Sequence, residues 1–221
     1  MKSLLEKIRF LLIHRLAYRF SEQFYDWWFG IVSDKELSVA ELGLTEPGCH
    51  HYIASCYIRF WQMMKLIEIR PGADVFLDIG SGMGRVVVLA ARYPFRKVIG
   101  VELTEKLHGI AQENVRRTLP RLRCRAIELY RVDARDFRIP PDVTVIYLWS
   151  PCSGQVLEQV FSNIRRSVLD SARTVTILYL SLPGVTGLDD IKPRLPWLKE
   201  RQRVKLGAGS LAVVYTCSAE E

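Results

Sequence analysis

Three features of the sequence predict an α/β fold built on a mostly parallel, seven-stranded sheet. Apolar runs of strand length alternate with helix-length segments from Pro71 onward. A glycine triplet, Gly80, Gly82 and Gly84, stands where the first such run meets the first helix. Two strand patterns near the C-terminus flank Gly207-Ala208-Gly209, as a hairpin requires. The chain divides near Pro71-Gly72, into a helical extension over 1–70 and an α/β domain over 71–221.

In the extension, Tyr57 to Ile69 reads as a helix with Ile58, Trp61, Met64 and Leu66 on one side, broken before it at Pro47-Gly48. Val75-Phe76-Leu77 is the first buried strand, Met83 to Arg92 a helix, and Lys97 to Val101 the second strand. Thr104 to Arg117 is a helix with Thr104 as N-cap, followed by strands at Ala126 to Val132 and Val143 to Trp149. Val156, Leu157, Val160, Phe161 and Ile164 share one face of the next helix, and Val175 to Leu180 is the fifth strand. Arg201 to Leu206 and Leu211 to Thr216 close the sheet in antiparallel pairing.

Composition narrows the class. With 221 residues, 49% of them hydrophobic, the chain buries ample core and is no disordered tail. Its 31 Lys and Arg against 24 Asp and Glu leave a net charge of +7. Five cysteines without a C-x-x-C pair argue against a disulfide framework and for a reducing, cytoplasmic compartment. No apolar stretch approaches the roughly 18–20 residues of a membrane span. Glu6, Lys7 and Arg9 interrupt what would be a signal-peptide core. Leu4, Leu5, Ile8, Leu11, Leu12 and Leu16 recur at helical spacing among Lys2, Lys7, Arg9, Arg15 and Arg19, a basic amphipathic pattern over 1–20. It suits packing on the domain, or peripheral contact with an anionic membrane or acidic partner. The aromatic run from Phe20 to Phe29 predicts a folded segment whose rings bury one another.

The chemistry concentrates in Asp78-Ile79-Gly80-Ser81-Gly82-Met83-Gly84-Arg85. Glycines at a strand's carboxyl end let a ligand approach backbone, and a dinucleotide fingerprint would need a small residue where Arg85 stands. With the acid followed by G-x-G-x-G, the chain over about Asp74 to Thr216 resembles the class I S-adenosylmethionine-dependent methyltransferases. More specifically it resembles poorly characterised bacterial members and, distantly, the seven-strand lysine methyltransferases. That resemblance implies S-adenosylmethionine as cofactor and gives cofactor-binding roles to Asp78, Gly80, Ser81, Gly82 and Gly84. Glu102, eighteen residues past Gly84, and Leu103 end the second strand, where the family holds the ribose hydroxyls. Asp133 with Ala134 would read the adenine edge, in preference to Asp136, which suits a cap. Tyr52 and Ser55 are candidates for a lid.

Ser150-Pro151-Cys152 ends the fourth strand, at the family's acceptor position. It departs from the Asn/Asp-Pro-Pro-aromatic motif of amino-methylating enzymes, so the acceptor stays open between a small molecule and a protein side chain such as lysine. No residue declares itself a catalytic base. Cys49, His50, His51 and Cys56 lack a second ligand pair, so no metal is assigned. Eight arginines against three acids over 116–138, and a basic run over 192–205, permit nucleic acid without favouring it. Two alternatives stand beside the methyltransferase: an NAD-dependent oxidoreductase, and a non-catalytic cofactor-binding or membrane-associated module.

Overall fold

The computed structural model describes residues 20–45, 48, 50–181 and 187–220. The amphipathic pattern of residues 1–19 lies outside them. Helix α1 runs over 20–29 and α2 over Tyr57–Met64. Then come β1 (Val75–Ile79), α3 (Arg85–Ala90), β2 (Lys97–Glu102), α4 (Glu105–Thr118), β3 (Ile127–Arg131) and β4 (Val145–Trp149). The chain continues through α5 (Gly154–Asp170), β5 (Val175–Ser181), α6 (Leu188–Ile191), β6 (Lys199–Lys205) and β7 (Leu211–Cys217).

The strands form one sheet in the order β3-β2-β1-β4-β5-β7-β6. The first five are parallel, β7 runs antiparallel to both β5 and β6, and the hairpin turn is the short 3-10 stretch Gly207–Gly209. Order reverses between β1 and β4, so the carboxyl ends of β1, β2 and β4 open onto one crevice, the usual ligand site of such sheets. β1 is buried at all five positions because it lies centrally with helices over both faces. One core layer joins Leu77, Ile146 and Ile177 to Leu157, Phe161 and Ile164 of α5. The other joins Phe76, Tyr147 and Leu178 to Phe60 and Met63 of α2 and Val87 of α3.

The extension corrects two expectations. The second helix stops at Met64 and buries Tyr57, Phe60, Met63 and Met64, whereas Ile58 is 47% exposed. Tyr57 decides the rotation, because its hydroxyl donates to Asp26 at 2.6 Å and its ring stacks on Phe29 at 5.5 Å. In α1, Phe29 is buried and Tyr25 packs against Tyr57 and Trp61, but Phe20, Phe24, Trp27 and Trp28 stand exposed, Trp27 at 73%. The segment is folded, yet only one face of its aromatics is covered.

Candidate functional site

The glycine loop joins β1 to α3. Gly80, Gly82 and Gly84 all have left-handed φ values, 78°, 53° and 79°, which residues with a Cβ rarely adopt. Contact adds a second reason. A Cβ on Gly80 would lie 2.6 Å from Pro151 Cβ, and one on Gly82 would lie 2.2 Å from the Tyr52 ring. Gly84 is the residue before α3 and abuts Ala111 of α4, so it serves helix packing. The loop's amides donate inward: Gly80 and Ser81 to the Val101 carbonyl, both at 2.9 Å, Gly82 to Glu102 Oε2 at 2.9 Å, and Gly84 to the Ser81 carbonyl at 2.8 Å.

Asp78 and Glu102 differ in how they are satisfied. Glu102 Oε1 accepts from the Thr104 amide at 2.8 Å and hydroxyl at 2.9 Å, so Thr104 occupies the N-cap position of α4 while its side chain serves Glu102 instead of the helix. Asp78 is 3% exposed and accepts from no donor among the described residues. Burial, and then the neighbouring Glu102 charge, push its carboxyl well above the ordinary carboxylate range. An unsatisfied buried acid beside a ligand-sized cleft is complementary to a cationic group that would restore its charge.

That cleft, about 1090 Å³ including its open mouth, is lined by Tyr52, Asp78, Gly80, Ser81, Glu102 and Leu103, and by Asp133, Ala134 and Ser150. Ser55 and Cys152 line it too. Thus nine of the eleven predicted cofactor residues meet around one space; Gly82 lies beneath the Tyr52 ring and Gly84 against α4. Tyr52 is half-buried, its hydroxyl donates to the Ser33 carbonyl at 3.1 Å, and its backbone pairs with Leu37. Asp133 is held by Arg135 at 2.7 Å, and this hydrogen bond keeps its carboxyl below the ordinary range. The space and donor set suit S-adenosylmethionine: Asp78 offers an uncompensated carboxylate for an ammonium, and Glu102 Oε2 keeps a lone pair for a hydroxyl.

Two groups of residues escaped the sequence reading. Arg85, 2% exposed, donates to Ser33 Oγ at 2.7 Å, the Ser55 carbonyl at 2.9 Å and Asp26 at 3.0 Å, and pairs with Glu22. Its guanidinium also lies 4.3 Å from the Tyr57 ring centroid. Asp26 gathers the Ser33 amide and hydroxyl as well, both at 2.7 Å. α1 is therefore locked to the residue that follows the glycine loop. The second group is His50, whose Nδ1 lies 2.7 Å from the Ser150 carbonyl oxygen. Only its place directly after a G-x-G-x-G loop could have marked Arg85, and nothing local marks His50.

The family model described as "Histone methylation protein DOT1" matches residues 56–141, less than half of the chain but all of β1 to β3. No curated protein sequence matches. Among solved structures, an RNA methyltransferase from Salinibacter ruber in complex with S-adenosyl-L-homocysteine is 20% identical, with a TM-score of 0.53 over 76% of this chain and 94% of that one. A SAM-dependent methyltransferase from Aquifex aeolicus is 15% identical, with a TM-score of 0.58 over 71% and 88%. A TehB-like SAM-dependent methyltransferase from Corynebacterium glutamicum is 15% identical, with a TM-score of 0.54 over 90% and 97%.

Proposed function

We infer that this chain, an S-adenosylmethionine-dependent methyltransferase of the class I fold, methylates a small molecule or a protein side chain such as lysine. The observation that carries the cofactor assignment is Asp78, a buried carboxyl without a donor at the glycine loop. Asp78 takes the cofactor's amino group. Glu102 takes a ribose hydroxyl through the Oε2 lone pair that Gly82 leaves free. Asp133 and the Ala134 amide serve the adenine edge, with Leu103 packing nearby. Gly80, Ser81 and Ser150 shape the floor, Gly82 and Gly84 set the loop's path, and Tyr52 acts as lid. Of the extension over 1–70, the described residues 20–45 and 50–70 serve as cover for the methyltransferase domain of 71–221.

The cofactor supplies an already activated methyl group. The protein's share is then proximity, orientation and exclusion of water. The roof residues Leu42, Leu44 and Ile53 support that role by presenting apolar groups to the cleft. The test is transfer of labelled methyl from S-adenosylmethionine into fractionated lysate, with Asp78→Ala as control. Label in the protein or small-molecule fraction that disappears with the variant supports the assignment; label in nucleic acid rejects the acceptor class.

Cytoplasmic placement with peripheral contact to an anionic membrane is a second reading, supported by the exposed rings of Phe20, Phe24, Trp27 and Trp28 next to the basic N-terminal sequence. Among the described residues no helix is long and apolar enough to cross a membrane. Sedimentation with anionic but not neutral vesicles tests it. Nucleic acid is disfavoured because Arg116, Arg117, Arg131 and Arg135 are paired with Glu113, Glu105 and Asp133.

A further inference from the structure

The loop after β4 is laced to the roof at two points. The Ser153 amide donates to the Gly48 carbonyl at 3.1 Å, and His50 Nδ1 meets the Ser150 carbonyl at 2.7 Å. Ser150 holds the only left-handed φ of a non-glycine residue among the described residues, 36°, and its hydroxyl is tied to the Leu180 carbonyl at 3.1 Å. Pro151, next in sequence, rests on Gly80. His50 is thereby fixed at the junction of glycine loop, β4 and roof, and it lines the cleft.

The geometry assigns the tautomer. A carbonyl oxygen only accepts, so Nδ1 carries the proton of this contact, and in the neutral ring Nε2 holds a lone pair. No donor among the described residues occupies Nε2. The Ser150 carbonyl, for its part, already has a donor. Its neighbour Trp149, also on the cleft, has a buried indole N–H without an acceptor among the described residues. The cleft at the end of β4 thus offers one unused acceptor, on His50, while the Trp149 N–H is sealed from it.

We propose that His50 Nε2 is the general base of the reaction and that the acceptor is a hydroxyl group on an apolar carrier. A hydroxyl donates to Nε2 as it stands, whereas an amine held as its ammonium must first lose a proton before its nitrogen has a lone pair to attack with. An ammonium would also need a carboxylate at the acceptor end, and the carboxylates of the cleft, Asp78, Glu102 and Asp133, all belong to the cofactor assignment. Leu42, Leu44, Pro151 and Val156 give this end an apolar wall suited to the carrier. In the step, the hydroxyl O–H bond breaks and its proton goes to Nε2. The oxygen's electron pair forms the O–CH3 bond, the S–CH3 bond breaks, and the sulfonium becomes a neutral thioether. The imidazolium afterwards returns its proton to solvent.

The proposal rests on the methyltransferase assignment, and its test separates the two. The full chain is first titrated with S-adenosylhomocysteine by calorimetry; failure to bind rejects the cofactor assignment, and the proposal with it. Long-range ¹H–¹⁵N NMR of the ring should show Nδ1 protonated and Nε2 bare in the neutral state; the reverse tautomer overturns the proposal without any turnover. His50→Asn keeps an N–H that can reach the Ser150 carbonyl but removes Nε2. It should bind S-adenosylhomocysteine as the parent does and lose roughly 10²–10⁴-fold in the transfer rate, the usual share of a general base. Added imidazole should restore part of the rate to His50→Ala. Retained activity in His50→Asn overturns the proposal, because a purely positioning role would survive that change. Labelled product from the lysate should release its methyl group as methyl iodide in hydriodic acid, as a methyl ether does. Label recovered instead as methyl-lysine after acid hydrolysis, or no label from protein that binds S-adenosylhomocysteine, overturns it as well.

Discussion

Replacing Arg85 with Met should be the most damaging single change outside the cleft. It leaves Glu22 and Asp26, both buried, without their cation, and Glu22 Oε1 already lacks a partner. Removing one side of a buried ion pair costs about 3–5 kcal/mol. For a chain of this length each kcal/mol moves the melting temperature by about 2–4 °C, so a fall of roughly 6–20 °C is expected. Burial already raises the Glu22 carboxyl above its ordinary range, with Arg85 opposing. Without Arg85 the shift grows, so the variant holds its protons more tightly when folded and loses most stability as pH rises. The gap to the parent should narrow on acidification. Combining Arg85→Met with Glu22→Gln and Asp26→Asn should recover part of the loss, because neutral groups no longer demand a counter-charge. Thermal unfolding followed by tryptophan fluorescence reads both variants. A single-variant shift under about 2 °C, less than ~1 kcal/mol, would refute the reasoning.

Other substitutions test the cleft directly. Gly82→Ala should abolish S-adenosylhomocysteine binding by calorimetry, since the new Cβ meets the Tyr52 ring at 2.2 Å; adding Tyr52→Ala should relieve the clash but leave about 1–2 kcal/mol of left-handed strain. Asp78→Asn should flatten the pH dependence of urea stability in the unliganded protein. The parent should lose stability as pH rises from the ordinary carboxylate range through the raised value, because the folded state keeps the proton that the unfolded chain releases. A flat parent profile removes that assignment. Glu102→Ala should weaken S-adenosylhomocysteine binding at least ~10-fold, the worth of one hydrogen bond to a charged group, and unchanged affinity rejects the ribose role.

The central strands were legible because they are buried on both faces and write themselves as continuous apolar runs, β1 and β4 most plainly. Asp78, the glycines and Glu102 were legible because turn chemistry and strand ends are local properties of a chain. Helix α2 was rotated in the sequence reading because Ile58 and Tyr57 are both apolar enough to be buried. The choice between them is made by Asp26 and Phe29, some thirty residues away. Arg85 beside the loop was read for the cofactor it excludes, since an ion pair with Glu22 and Asp26 leaves no periodic trace. His50 gains its role from Ser150, at a separation of 100 residues, which no spacing rule reaches.

Among the described residues, the extension's buried Phe29, Ile31, Tyr57, Phe60 and Met63 join the core layer of Phe76 and Val87. The groups that hold α1 and the strand-like stretch after it are Arg85 and Asn114, and Asn114 bonds both the amide and the carbonyl of Val32 at 2.9 Å across 82 residues of sequence. A ribosome therefore delivers residues 20–55 before Arg85 and Asn114, two of the groups that fix them. At about 5–20 residues per second that wait lasts roughly 4–16 s. Until Arg85 emerges, Glu22 and Asp26 lack the cation that pairs them in the folded protein. The N-terminal segment, made first, is therefore fixed only after the glycine loop and Arg85 of the cleft's floor have been made.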